Sequence, residues 1–195
     1  MTPVDRRVRR TRHSLREALL ALILEKGYDA ITIRDITERA DIAYATFFRH
    51  YDGKDDLLAE QIGLLMDEFE SRAKQQSGPY FLQEGQILFE YLQDHFELFQ
   101  RLVDARTSRR VFRKLKQKMI EIIQQNASTL YATATDPQIP FEILVNHTAS
   151  ATLELVIWWL ENRMPYDPLK MAQIFEQLIV KASWWSAGIQ IEHDI

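Results

Sequence analysis

The sequence predicts an all-α fold made of a small N-terminal three-helix domain and a larger C-terminal helical one. Apolar residues recur at helical spacing along most of the chain, as in Leu15, Leu19, Leu22 and Ile23. The 195 residues hold only six Gly and six Pro, and few strand-like alternations appear. A hydrophobic fraction of 46% is ordinary for a globular protein. The absence of cysteine excludes disulfides, thiolate zinc sites and cysteine nucleophiles.

The elements follow in order. The first helix is expected from Leu15 and ends at Lys26-Gly27, a cation and then a residue suited to a left-handed cap. Thr32 and Asp35 have capping-box spacing and open a second helix whose Ile33, Ile36 and Ala40 point inward. After Asp41-Ile42-Ala43 a short helix is expected from about Tyr44 to His50. Asp52 caps a longer helix, with Asp55 and Asp56 in its first turn and an end before Ser77-Gly78-Pro79. One helix is expected to carry Ile87, Phe89, Tyr91, Leu92, Phe96 and Phe99, and another to follow the basic run Arg106–Lys118. A loop at Asp136-Pro137 and Ile139-Pro140 precedes a helix over about 141–163. Asp167-Pro168 then opens the last one as N-cap and first-turn proline. A domain boundary is expected near residue 60, giving domains 1–60 and 61–195.

Charge is unevenly placed. The net charge is −4, yet Arg6, Arg7, Arg9, Arg10, Arg12 and Arg16 face one acid, Asp5, in the first sixteen residues. Such a block reads either as a solvated arm or as an arm that reaches phosphate. The start has no apolar run of a signal peptide. The richest apolar stretch, Ala149 to Leu160, is interrupted by Glu154. A soluble cytoplasmic chain without membrane contact is expected.

Residues 31–51, ITIRDITERADIAYATFFRHY, have the size of a helix-turn-helix, namely a capped short helix, a turn and a second short helix. Phe47 and Tyr51 can close the inner face, leaving Tyr44, Ala45, Thr46, Arg49 and His50 for a major groove and its phosphates.

Residues 8–60 resemble the DNA-binding domain of the TetR family of transcriptional regulators. The family's slots read here Thr32, Ala40-Asp41-Ile42-Ala43, Thr46-Phe47-Phe48, His50-Tyr51, Lys54 and Leu57-Leu58. Asp41 stands for the usual turn glycine, and aspartate tolerates a left-handed backbone. Ala43 stands for a serine cap worth about 1 kcal/mol. Phe48 stands for a tyrosine whose hydroxyl meets phosphate in the family.

The resemblance implies a regulator, most simply a repressor released from a pseudo-palindromic operator by a small-molecule effector. The DNA-binding set is then Thr32, Arg34, Tyr44, Ala45, Thr46, Phe48, Arg49, His50 and Lys54. It also implies an effector pocket in the middle of the chain, for which Phe69, Phe89, Tyr91, Phe96, Phe99, Phe112 and Trp158 are candidates. A homodimer would form through the closing helices, by Leu144, Thr148, Thr152, Leu155 and Trp159 of one and Phe175, Leu178, Ala182 and Trp185 of the next. The effector's identity stays open. The basic run reads as a solvated face, with an anionic effector such as an acyl-coenzyme A thioester as the other reading.

Enzymatic activity is not expected. The five histidines lack metal-ligand spacing, Glu90 with Asp94-His95 being only a weak group, and no phosphate-binding glycine loop or Ser-His-Asp context appears. No cofactor or metal is expected. The remaining alternative is a helical dimer that binds a partner protein without reading DNA sequence.

Overall fold

The computed structural model describes residues 3–75, 81–104, 109–132, 134 and 137–188. All regular elements among these are helical: α1 Pro3–Lys26, α2 Ile33–Arg39, α3 Tyr44–Phe47, α4 Lys54–Gln75, α5 Phe81–Asp94, α6 Phe96–Asp104, α7 Arg109–Tyr131, α8 Phe141–Glu161, α9 Pro168–Phe175, a π-helical turn Glu176–Lys181 and α10 Ala182–Ser186. The contacts divide into two units, Met1–Leu65 with Phe96–Leu115, and Met66–His95 with Lys116–Ile195.

In the first unit, α1 packs on α2 and α6, and α2 packs on α3. Its core is Leu15, Leu19 and Ile23 from α1, Ile36, Phe47, and Leu57 and Leu58 from α4, all fully buried. Each such side chain stabilises by about 1.5–3 kcal/mol. The expected periodicity of α1 is therefore present, but the helix begins at Pro3 rather than near Leu15. The arginine block is helical instead of an extended arm. Arginine is a good helix former, and proline is tolerated in a first turn.

The second unit closes on Ala127, Leu144, Val180, Trp184 and Ala187, with Tyr131, Phe141 and Phe175 packed against them. Helix α5 crosses α9 closely at Gly85, where a Cβ would meet the Phe175 ring at 2.9 Å and the Ala172 Cα at 3.5 Å. Phe89 beside it meets Trp159 edge-on at 5.2 Å. Asp167 caps α9 as expected, its carboxylate accepting the Lys170 N–H at 2.8 Å, with Pro168 following.

Three expectations are corrected. The single helix expected across Ile87–Phe99 is two, because a turn at His95, a poor helix former preceded by another, Asp94, interrupts it. The basic run is only partly a free face. Lys114 pairs with Asp56 and Lys118 pairs with Asp67 at 2.7 Å, whereas Arg106 lies outside the described residues. The last helix is not continuous α: residues Glu176–Lys181 form a π turn, which carries more residues per turn than an α-helix. Buried positions within and after it fall at Ile179, Val180, Ser183, Trp184 and Ala187. Leu178, Ala182 and Trp185, expected at a dimer interface, lie off this buried face and are exposed.

By length and composition α8 is apolar enough to cross a membrane, the one such helix among the described residues. Its Leu144, Val145, Ala149, Leu153, Trp159 and Leu160 are buried within the second unit, as in the core helix of a folded domain.

Candidate nucleic-acid interface

The geometry of the first unit's outward face begins with two capping devices. The Thr32 hydroxyl accepts the Asp35 N–H at 3.1 Å, and the Asp35 carboxylate accepts the Thr32 N–H and hydroxyl, each at 2.7 Å. The Lys26 ammonium closes on the same carboxylate at 2.9 Å. The Thr32 hydroxyl, Lys26 and the Thr32 N–H hold the Asp35 carboxyl well below the usual carboxylate range. Thr32 thus spends both its donors on the cap.

At the other end of α2, Asp41 takes φ 54°. Its N–H bonds to the Glu38 carbonyl at 3.2 Å, and the Ile42 N–H reaches the Thr37 carbonyl at 2.9 Å. That pair of bonds is a Schellman closure with Asp41 in the left-handed position. Aspartate substitutes for glycine here at some cost in backbone energy, and the turn survives as the sequence implies.

The turn delivers α3. Its N-cap, Ala43, makes no side-chain capping bond, as expected from the missing hydroxyl. The helix is only Tyr44–Phe47, shorter than the span to His50 that the sequence led us to expect. Turn bonds carry the chain on, with the Arg49 N–H on the Thr46 carbonyl at 3.2 Å and the His50 and Tyr51 N–H groups on the Phe47 carbonyl at 2.9 and 3.0 Å. Without a cap, so short a segment cannot hold helical geometry on its own. Phe47 anchors it, fully buried, with its ring 5.7 Å from Tyr51.

Outward from that anchor, Tyr44 is 52% and Phe48 49% exposed, and Ala45 and Arg49 are exposed beside them. Thr46 and His50 are half-buried. Burial first, then the Arg12 and Arg49 charges, push the His50 imidazole below its ordinary value, so it is neutral at pH 7. Arg34 is exposed on α2, and Arg6, Arg7, Arg9 and Arg10 are exposed on α1. None of these six cations, Arg49 included, pairs with a carboxylate among the described residues.

Other charges build the frame, and these roles were not read from the sequence. Glu60 of α4 receives Arg12 and Arg16 of α1, the latter at 2.7 Å, and Arg12 also bonds the Tyr51 hydroxyl at 3.3 Å. The signal was the i, i+4 spacing of Arg12 and Arg16 within a block that reads as uniformly basic. Lys54 donates to the carbonyls of Tyr28, Ile31 and Asp29 at 3.0, 2.9 and 3.4 Å and lies 4.5 Å over the Tyr28 ring. The Tyr28 hydroxyl in turn donates to Asp55. Burial and then that carboxylate push the Tyr28 phenol well above its usual range.

The first turn of α4 therefore clamps the α1–α2 loop. Lys54→Met is expected to lower stability by about 1–2 kcal/mol, the scale of hydrogen bonds from a charged donor. The slope of log affinity against log salt on duplex DNA is expected to stay unchanged. A slope flatter by about 0.9 would instead assign Lys54 to a phosphate.

The remaining sequence-derived candidates separate. Phe69 and Tyr91 meet in the second unit at 6.2 Å. Burial and then Glu68 push the Tyr91 phenol up to about 12. Phe89 lies in that unit's core, whereas Phe96, Phe99 and Phe112 belong to the first unit. Trp158 is 45% exposed and stacks on Tyr166 at 6.4 Å. The seven aromatics thus do not gather in one unit.

Of the closing-helix candidates, Leu144, Thr148, Thr152 and Trp159 are buried in their own unit, and Leu155 and Phe175 partly so. Leu178, Ala182 and Trp185 are exposed, and on α8 the exposed apolar residues are Ile143 and Trp158. Among the described residues, no group of three or more His, Asp or Glu is placed to hold a metal.

The chain is similar to known regulators over both units. A family profile described as bacterial regulatory proteins, tetR family, matches residues 15–60. A second, described as transcriptional regulator C-terminal region, matches residues 83–181, just over half of the chain. The chain is 48% identical over 60 residues to the HTH-type transcriptional regulator YxbF of Bacillus subtilis, covering 30% of this chain and 16% of that protein. It is 32% identical over 77 residues to the HTH-type transcriptional repressor KstR of Rhodococcus jostii, covering 40% of this chain and 36% of that protein. These curated relatives are thus matched over well under two thirds of their length. The crystal structure of Thermus thermophilus FadR, a TetR-family repressor in complex with lauroyl-CoA, shares the fold with a TM-score of 0.65 at 16% identity, over 94% of this chain and 98% of that one. This chain belongs to the TetR family of bacterial regulatory proteins.

Proposed function

We propose that the chain is a cytoplasmic, homodimeric transcriptional repressor that grips a two-fold-related operator and releases it when a small molecule binds its second domain. The observation that carries this is the reading head itself. A Schellman turn at Asp41 sets α3 with Tyr44, Ala45, Phe48 and Arg49 exposed, and Arg6, Arg7, Arg9, Arg10, Arg34 and Arg49 pair with no carboxylate among the described residues. In a chain of net charge −4, a local excess of unpaired arginines of this kind supplies the attraction to phosphate that the whole molecule lacks.

Residues 1–60 form the DNA-binding domain in this reading, and 61–195 the effector and dimerisation domain. Arg34, Arg49 and the α1 arginines take phosphates, while Tyr44, Ala45, Thr46 and Phe48 approach base edges, with His50 alongside as a neutral imidazole. One such helix covers too few base pairs for selectivity, so two must be presented one helical turn apart, about 34–36 Å. The exposed Leu178, Ala182, Trp185, Ile143 and Trp158 supply the apolar surface for a second copy.

Release by a ligand rests on the family, in which FadR was solved with lauroyl-CoA. That ligand class is not transferred here, because Lys114 and Lys118 of the basic run are committed to Asp56 and Asp67. Selection of bound fragments from genomic DNA by the full chain tests the proposal. The expected outcome is a short two-fold-related site bound tightly at about 0.1 M salt and progressively lost above it. Retention of no duplex at low salt would sink it and favour a protein-binding dimer.

A further inference from the structure

We propose that Tyr44 and Phe48 form a preset apolar pair that reads thymine 5-methyl groups in the major groove of each half-site. The inference rests on the DNA-reading function proposed above and names the base feature that the site selects. The two rings stand one helical turn apart, with centroids 5.3 Å apart and planes at 68°. Phe48 also meets the buried Phe47 ring at 5.4 Å and 76°. Edge-to-face contact of this kind fixes ring orientation. The exposed pair is thus held from beneath by the residue that anchors the helix, and little rotamer freedom is left to lose on binding.

The chemistry offered outward is narrow. Tyr44, Ala45 and Phe48 are exposed, and the segment from Tyr44 to Phe48 contains no Asn, Gln, Lys, Arg, Asp or Glu. It therefore lacks the bidentate partners of adenine and guanine and the carboxylate that accepts from cytosine. Phe48 brings no hydroxyl to a phosphate. What remains is the hydroxyls of Thr46 and Tyr44 and, from the exposed Tyr44–Phe48 pair, apolar contact, for which the thymine methyl is the one apolar group displayed in the major groove. Arg49 and Arg34, at either side in sequence, are available to backbone phosphates or to guanine.

The test replaces each thymine of the selected operator, singly, with deoxyuridine, which removes the methyl and leaves pairing intact. The full chain is expected to lose about fourfold in affinity at one or more thymines of a half-site, the worth of one buried methyl-sized group. Changing the equivalent position in both half-sites should cost about sixteenfold if the contributions add. Phe48→Ala or Tyr44→Ala should abolish the thymine-over-uridine preference while keeping the salt slope. Tyr44→Phe should keep the preference, since the hydroxyl takes no part. Deoxyuridine duplexes that all bind like the parent overturn the thymine reading and leave the DNA-binding function standing. Absence of salt-dependent binding to any duplex overturns both.

Discussion

Phe47→Ala is expected to unfold the reading head, at a cost of about 3–5 kcal/mol, the range for removing a buried aromatic. The side chain is fully buried, its ring contacts both Phe48 and Tyr51, and its carbonyl holds the His50 and Tyr51 N–H groups. Helix α3 has four residues and no side-chain cap, so tertiary packing is its source of order. Domains of this size keep only about 5–15 kcal/mol in total, and the loss falls on the smaller unit. Urea denaturation followed by circular dichroism should show an early transition, with amide exchange accelerated across residues 31–51. Phe47→Leu, which keeps most of the volume, should cost far less, below about 1.5 kcal/mol if the pocket repacks. An Ala variant within about 1 kcal/mol of the parent would show that Phe47 is not the anchor.

How far this site can be read from sequence depends on whether the controlling chemistry is local. Thr32 with Asp35, Asp41 in its left-handed turn and Asp167 before Pro168 are legible because each device is complete within a few residues. Thr32 and Asp167 follow known side-chain to backbone capping patterns, and Asp41 a known backbone one. The carbonyl contacts of Lys54 were not legible for the opposite reason. Its ammonium is spent on carbonyls more than twenty residues upstream, and nothing around Lys54 itself announces them. Glu60 was hidden in the same way, since its partners lie on α1. The start of α1 was placed too late because the arginine block was read for charge before propensity. The π turn in the last helix was not legible, because the pattern of Leu178, Ile179, Ala182 and Trp185 fits an uninterrupted helix equally well. Fold class depends on period and composition and survives such errors. The list of exposed residues does not.

The exposed apolar residues of the last helix give the second large effect. Trp185→Glu is expected to turn the proposed dimer into a monomer while leaving the protomer folded. Trp185 is 74% exposed and Leu178 67%, whereas the adjacent Trp184 is 1% exposed and packs with Leu144, Val180 and Ala187. A buried tryptophan anchor at an interface is worth about 2 kcal/mol or more on truncation, and an unpaired carboxylate in its place adds a desolvation cost. Dimer dissociation should therefore strengthen by more than about thirtyfold. Operator affinity should fall further, by about 10²–10⁴, because the second half-site is no longer bound intramolecularly. Helical signal and melting should stay close to the parent, as expected at an exposed position. Trp184→Glu should do the reverse, collapsing the second unit before any effect on association can be read. Sedimentation and operator titration of the two variants separate neighbours that sequence alone makes equivalent. A Trp185→Glu protein that stays dimeric with parental operator affinity would place the two-fold contact elsewhere on the molecule.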